Sequence, residues 1–598
     1  MPSGKKVVLS DNALEVAQSR YFHNGEDWES CIRRVSKAIS DVESDKKIWE
    51  DKFFNLLYNM DFIPGGRILR NAGRPKGTLL NCYVLGLNDD IESIGKFYSD
   101  SLLLWSEGGG VGANWSSLRP KGTPILGKGG VSSGLVSFLE ASDAIASVVE
   151  SGGARRAAAL SCVSVDHPEV VDFINCKLVD GKLSHYNISV LVNEEFLKCV
   201  EADKDWTFKF NQKEVGKIRA RDIWDLIMKN MCEKAEPGLL NSSNLFKNNS
   251  WYFDPVTSTN PCGEHVGGPG TSCCLGSLVL PKFITGTTNT NWQKLEDAIK
   301  TAVRFLDNVI DVNKYSLPEI DITSHKSRRI GLGTMGLADY LFAKELRYGS
   351  PEALAEVEKL MKFIRDKVYL ASVELAKEKG AFPAFDPVYY GNSSFVRKLP
   401  APIRMEIKKF GIRNVTLQAI APNGTTSLLP EVTSGIEPLM FKGYKRKDRV
   451  GERIYIHPKY KQLLLTGHSV PHWFVDMNDL TPRDHLETQV IIQRYVDGAC
   501  SKCLSAEDTM VVINDKVVYL DELEHNEKED SFEKFEGKTY NHLGSEENII
   551  SVYNNGIKET IKITFDDGST IIGTPNHKLY TKDNAEIKFK DCIIGIEV

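Results

Sequence analysis

Asn260-Pro261-Cys262-Gly263-Glu264 is the stretch on which the reading of this chain turns. It sets an amide, a thiol and a carboxylate at i, i+2 and i+4, a spacing that an extended backbone places on one side. Pro261 fixes one intervening dihedral, and Gly263 lets the backbone turn or approach a ligand closely. A nucleophilic cysteine wants a cationic neighbour that lowers its pKa. A carboxylate does the opposite, because two adjacent negative charges disfavour ionisation. Cys262 beside Glu264 is therefore held as a thiol, suited to losing or donating a hydrogen atom rather than to attack as a thiolate. Taken alone, the five residues read equally well as a turn around a buried cysteine.

Working outward, Cys273-Cys274 follows by one loop, and Cys82 lies in the strand-like run Leu79–Leu85. A pair that gives up two electrons must bring its Cα atoms within about 4.4–6.8 Å. Spacing does not fix such a pair, and Cys82 and Cys274 also read as small buried hydrophobes. Further on, the apolar run Val415–Ile420 leads into Ala421-Pro422-Asn423-Gly424-Thr425-Thr426-Ser427. A strand, a glycine turn and hydroxyl residues opening a helix would aim N–H groups and hydroxyls at an anion. The glycine run Gly108–Gly112 could receive phosphate in the same way. Cys500-Ser501-Lys502-Cys503 has the spacing of a redox or zinc pair, but no second ligand pair stands near it, so no metal site is expected.

The 598 residues carry 41% hydrophobic and 26% charged side chains, ordinary for a soluble protein with a large core. A formal net charge of −6 gives no case for a nucleic-acid surface. There is no membrane-length apolar run and no secretion signal. With these, the twelve cysteines point to a reducing, cytoplasmic compartment. Trp28, Ile32, Val35, Ile39 and Val42 predict a helical start to the chain, residues 1–75. Helices are also predicted over Asp90–Trp105, over Trp292–Asn313 and from an N-cap at Ser350 to Gly380. Strands alternating with helices predict an α/β body over residues 76–502. After it, Met510–Ile513, Val517–Leu520, Thr560–Phe565 and Thr570–Ile572 read as short strands of a small all-β module, residues 503–598, with the acidic stretch His525–Glu547 as a loop.

These motifs together resemble the catalytic chain of a ribonucleotide reductase, nearest to the adenosylcobalamin-dependent class. The likeness covers residues 8 to about 502. It rests on Asn81-Cys82-Tyr83-Val84-Leu85, Gly108–Gly112 with Leu118-Arg119-Pro120, Gly152-Gly153-Ala154-Arg155-Arg156 and Val165-Asp166-His167-Pro168. Asn187-Ile188-Ser189-Val190, Asn260–Glu264, Ile330–Gly333, Pro422–Ser427 and Ser434–Pro438 follow in the family's order. Cys273–Pro281 with Leu306–Asp311 favours the cobalamin class over a diiron-dependent large subunit. The resemblance implies a ten-stranded α/β barrel with a finger loop carrying Cys262 to its centre, where it becomes a thiyl radical. It makes Glu264 the base on the 3′ hydroxyl and Asn260 a ribose ligand. Cys82 and Cys273 become the reducing pair, Cys273 being preferred to Cys274 by its place in the family's motif. Asn81, Gly110 and Pro422, Asn423, Gly424, Thr425 and Thr426 become substrate-binding residues. It also implies adenosylcobalamin as cofactor, a ribonucleotide substrate, nucleotide effectors, a thioredoxin-like reductant and room for a homodimer.

The likeness breaks at Ser501-Lys502. Cys503-Leu504-Ser505-Ala506-Glu507-Asp508-Thr509 resembles the start of a Hint-type intein, and Gly573–Tyr580 resembles its second block. That resemblance makes Cys503 the nucleophile of an N-to-S acyl shift, with Thr574 and His577 polarising the peptide. With no terminal His-Asn, the expectation is one half of a split intein. A separate chain would supply the rest of intein and reductase by trans-splicing, and the chain would be inactive as a reductase before that.

Overall fold

The computed structural model describes residues 7–502 apart from 24, 126, 128, 152–154, 287 and 449–450. Beyond residue 502 it describes residues 510–513, 516–519, 531–540, 546–554, 561–564, 570–573, 578–580 and 586–588. The chain divides into two units, Met1–Ser505 and Ala506–Val598.

The first unit begins with the helices Asp11–Arg20, Trp28–Ile39 and Lys46–Tyr58. Trp28, Ile32, Val35 and Ile39 form one buried stripe. Asp27 caps that helix, accepting from the Ser30 N–H while the Ser30 hydroxyl accepts from the Asp27 N–H. Val42, expected in the same stripe, falls in the following 3-10 turn and is 41% exposed, because the change of helical pitch rotates it off the buried face. The predicted helix after Asp90 runs Ile91–Ser106, and the next runs Trp292–Val312. Ser350 accepts from the Ala353 N–H and opens Pro351–Lys379, which ends at Gly380 with φ +82°.

Five strands lie parallel in the order Gly238–Asn241, Tyr186–Val192, Ala158–Ser164, Gly110–Asn114 and Cys82–Val84. Thr271–Ser272 joins the last of them antiparallel, completing a six-stranded sheet. A second sheet pairs Phe62–Pro64 antiparallel with Leu275–Val279, which runs parallel to Gly331–Met335. It continues through single bridges from Leu332 to Gln418 and from Ile420 to Cys500. The expected ten-stranded barrel is thus not a closed ladder among the described residues. One local cause is visible. The buried Asp497 carboxylate accepts from the N–H groups of Leu417 and Gln418, so these donors are shared with a side chain rather than given wholly to a neighbouring strand.

The second unit contains four antiparallel strand pairs among its described residues. Met510–Ile513 pairs with Lys516–Tyr519, and Ile561–Thr564 with Thr570–Gly573, close to the expected strands. The stretch His525–Glu547 departs from expectation. Ser531–Tyr540 is a strand paired with Glu546–Asn554. A register shift between Lys534 and Gly537 inserts one extra residue, and such a bulge destroys the period-two pattern by which a strand is read from sequence. No described helix is long and apolar enough to cross a membrane.

Candidate active site

Asn260–Glu264 forms the tip of a hairpin. Ser258–Thr259 pairs antiparallel with Val266–Gly267, and the Asn260 N–H donates to the His265 carbonyl at 3.0 Å. The Gly263 N–H donates to the Asn260 carbonyl at 3.0 Å, and Gly263 has φ +82°. This is a β-turn with proline at its second position. The three functional side chains therefore do not share one side of an extended strand. Asn260 and Glu264 are buried on the two arms, and Cys262 is exposed at the tip. Pro261 and the left-handed Gly263 favour the turn over extension.

Both sheets hold the hairpin. A Cβ on Gly112 would lie 1.8 Å from the Thr259 carbonyl oxygen, and one on Gly110 would lie 2.9 Å from the Pro261 ring and 3.1 Å from Cys82 Sγ. The glycines at alternate positions of Gly110–Asn114 thus make room for the loop. The glycine run is part strand rather than a phosphate turn. Asn187 Nδ2 donates to the Pro261 carbonyl at 2.9 Å, and Asn114 Nδ2 to that of Thr257 at 3.0 Å. From the other side, the Ala499 N–H donates to the Glu264 carbonyl at 3.0 Å, and Arg329 Nη1 to that of Val266 at 3.2 Å. Gly112→Ala is expected to displace the loop, lower the melting temperature and reduce turnover at the site by about a hundredfold or more. Gly95→Ala, in open space on a helix, is expected to leave turnover unchanged and to raise the melting temperature slightly, alanine being the better helix former. Thermal melts and steady-state assays of the two variants make the comparison.

The cysteines converge on this tip. Tyr83 pairs with Ser272 and Val84 with Thr271, and the register carried one step further sets Cys273 opposite Cys82. The Cys273 N–H donates to the Cys82 carbonyl at 2.9 Å. Directly opposed residues of an antiparallel pair lie within the reach of a disulfide. Burial, first, and then hydrogen bonding and charge from Cys82 push the Cys273 thiol well above its ordinary pKa, with Glu264 and Cys262 adding to the rise. Cys274 points the other way, its thiol donating to the Leu306 carbonyl at 3.3 Å. Burial pushes the Glu264 carboxyl up to about 7, opposed by the Asn260 side chain. Among the described residues, Glu264 Oε2 and Asn260 Nδ2 have no hydrogen-bond partner, two buried polar atoms beside an exposed thiol. His265, beside them in sequence, is buried and driven well below its ordinary pKa by burial and by Arg329.

Asn81, next to Cys82, accepts from the Gly110 N–H at 2.9 Å through its carbonyl. Cys82 and Cys273 share a small apolar cluster with Ala419 and Ala421, so the segment Pro422–Thr426 leaves directly from the redox pair. Asn423, with φ +57°, donates through Nδ2 to Ser277 Oγ at 2.9 Å, and a Cβ on Gly424 would meet nothing within 4 Å. The hydroxyl residues expected to open a helix form only the 3-10 turn Thr426–Leu428. Asn423 N–H and hydroxyl donors around an open glycine are what that segment offers. Cys503, Thr574 and His577 lie outside the described residues.

Gly112 and Asn187 stand in the quoted motifs, but their role in holding the loop, like that of the Ala499 N–H, was not read from them. A strand with glycine at alternate positions was the one available signal for the role of Gly112.

Residues 80–520 match the family model described as ribonucleotide reductase, barrel domain, and residues 7–77 match that of the ribonucleotide reductase all-alpha domain. The chain belongs to the ribonucleotide reductase family. This reductase chain is 35% identical over 543 residues to the vitamin B12-dependent ribonucleoside-diphosphate reductase of Thermoplasma acidophilum, covering 84% of the chain and 68% of that relative. It is 33% identical over 556 residues to the protein of the same name from Mycobacterium tuberculosis, covering 86% and 78%. Against the ribonucleoside-diphosphate reductase subunit alpha of Chlamydia muridarum it is 28% identical over 549 residues, covering 80% of the chain and 52% of that relative. The barrel match reaches residue 520, past the boundary at Cys503 at which the sequence likeness breaks.

Proposed function

We propose that this chain reduces ribonucleoside diphosphates to 2′-deoxyribonucleoside diphosphates with adenosylcobalamin, using Cys262, Glu264, Asn260, Cys82 and Cys273. The observation that carries the reading is the meeting of an exposed thiol, a buried carboxyl and an opposed cysteine pair at one hairpin tip. The names of the relatives at 32–35% identity supply the cofactor and the diphosphate.

The residues present leave room for that cofactor: Cys262 is exposed, and a Cβ on Gly263 would meet no atom within 4 Å. Bound beside Cys262, adenosylcobalamin would supply the radical chemistry by which that thiol loses its hydrogen atom. The Cys262 sulfur then takes the hydrogen from C3′ of the ribose. Glu264, half-ionised near neutral pH, accepts the 3′ hydroxyl proton, and Asn260 Nδ2 donates to the ribose. The Cys82–Cys273 pair provides two electrons and two protons, the 2′ hydroxyl leaves as water, and the pair ends as a disulfide. Cys262 returns its hydrogen to C3′, and Glu264 returns its proton to the 3′ oxygen. The raised pKa of Cys273 keeps it as the protonated thiol, so that its hydrogen is still in place when the pair is oxidised. Asn81, Gly110 and Pro422–Thr426 border the substrate's position, the last around the phosphates. A thioredoxin-like dithiol protein re-reduces the pair.

Residues 503–598 are read as an N-terminal intein fragment with Cys503 as nucleophile and Thr574 and His577 assisting. The support is the break in the reductase motifs at Lys502 together with the intein-like blocks. Incubated with a chain carrying the complementary intein half, this chain should yield a ligated product by mass spectrometry, and ligation that persists in Cys503→Ala would sink the splicing reading. The ligated product, given a ribonucleoside diphosphate, adenosylcobalamin and a dithiol, should form deoxynucleotide. With the dithiol withheld, one turnover should leave a Cys82–Cys273 disulfide in a peptide map. A folded, ligated product that neither binds nucleotide nor turns over would overturn the reductase reading.

A further inference from the structure

We propose that the N-terminal helical region carries a second ligand site, a cleft for a small polyphosphate anion whose two chambers meet at Arg74. The first chamber, about 410 Å³, is lined by Ser19, Arg20, Phe22, His23, Arg70 and Arg74, with no carboxylate. The second, about 650 Å³, adds Arg34, Lys37 and Lys314, and its one carboxylate, Asp41, is already paired with Lys46 at 2.6 Å. In a chain of net charge −6, this concentration of cations is a local feature and not a background. Cavities of this size hold small ligands, and the guanidinium fork matches phosphate oxygens.

The walls are built rather than loose. Arg34 grips Glu26 at 2.7 Å and donates to the carbonyls of Ala72 and Leu69. The His23 ring bonds the Arg70 carbonyl at 3.2 Å, which fixes the backbone that carries Arg70. Lys314 Nζ donates to the Pro75 carbonyl at 2.8 Å. Arg70 and Arg74 enter no ion pair among the described residues. Burial lowers the His23 pKa, and Arg34 and Arg74 lower it further, with Glu26 and the Arg70 carbonyl opposing.

The position gives the site a consequence. The segment 72–79 lines the second chamber, shares Arg74 with the first, and runs directly into Asn81 and Cys82. Its far end is tied down where the Leu79 N–H donates to Asn313 Oδ1 at 2.7 Å. An anion drawn onto Arg74 would restrain the segment from its near end as well, stiffening the approach to the redox pair.

The same chemistry is carried by a nucleoside triphosphate and by inorganic tripolyphosphate, so both are probes. The test is calorimetric titration of the full chain with each, alongside NMR titration of the His23 ring. Arg70→Glu and Arg74→Glu should each weaken tripolyphosphate binding at least tenfold, and Arg74→Lys by no more than about threefold. In the parent, tripolyphosphate should raise the His23 pKa. ATP binding more tightly than tripolyphosphate would mark the ligand as a nucleotide, and equal affinities would mark it as the inorganic anion. Tripolyphosphate binding that survives both charge reversals, or a His23 titration that tripolyphosphate does not move, would overturn the proposal. Arg70→Ala, which keeps the fold's core untouched, provides the same readout if a charge reversal impairs folding. None of these measurements depends on reductase activity, so their failure leaves the proposed reaction standing.

Discussion

Cys262→Ser is expected to abolish deoxynucleotide formation, by at least about a thousandfold, while leaving the melting temperature of the protein within about a degree of the parent. The fold should be indifferent because Cys262 is exposed at a turn tip and serine differs from it by one atom. The chemistry should not be indifferent. An O–H bond is much harder to break homolytically than S–H, so a serine cannot carry the radical or return its hydrogen to C3′. The measurement is product formation by chromatography beside a thermal melt. Turnover within tenfold of the parent would remove Cys262 from the mechanism.

Glu264→Gln is the second large effect. Loss of a positioned general base costs roughly 10²–10⁴ in rate. With the carboxyl near 7, the basic form grows in as pH rises through neutrality, so the parent's kcat should climb between about pH 6 and 8 and the variant's should lose that limb. Stability has the opposite sign. A carboxyl raised from 4.5 favours the folded state while protonated, fully so below the unfolded value, and that contribution is lost as pH rises through 7. Glutamine mimics the protonated form. The variant should therefore melt above the parent at pH 8 and near it at pH 5. A pH–rate limb that survives the substitution would assign the base to another group.

The helices were legible because they announce themselves locally: Asp90 and Ser350 each cap a helix whose start was readable in the sequence. The identity of the site residues was legible because Cys262, Glu264 and Asn260 stand together in five positions. The shape of that stretch was misread because its turn depends on the hydrogen bond from Gly263 to Asn260, a choice that alternation cannot express. The opposition of Cys82 and Cys273 was legible only by resemblance, since register between segments far apart in sequence is set by tertiary pairing. The strand Ser531–Tyr540 was hidden by its bulge.

The Ala499–Glu264 hydrogen bond bears on how this protein comes to exist in the cell. Gly112 and Ala499, which clamp the hairpin, are distant from it in sequence, and contacts of that kind form late and slowly. During synthesis the hairpin can rest against the first sheet long before its last clamp is made. Until then an exposed and chemically consequential thiol sits on a loop secured from one side only. Nascent chains should accordingly show their highest susceptibility to oxidation and proteolysis around Cys262, and the segment Gly498–Ser501 should be the step that ends it.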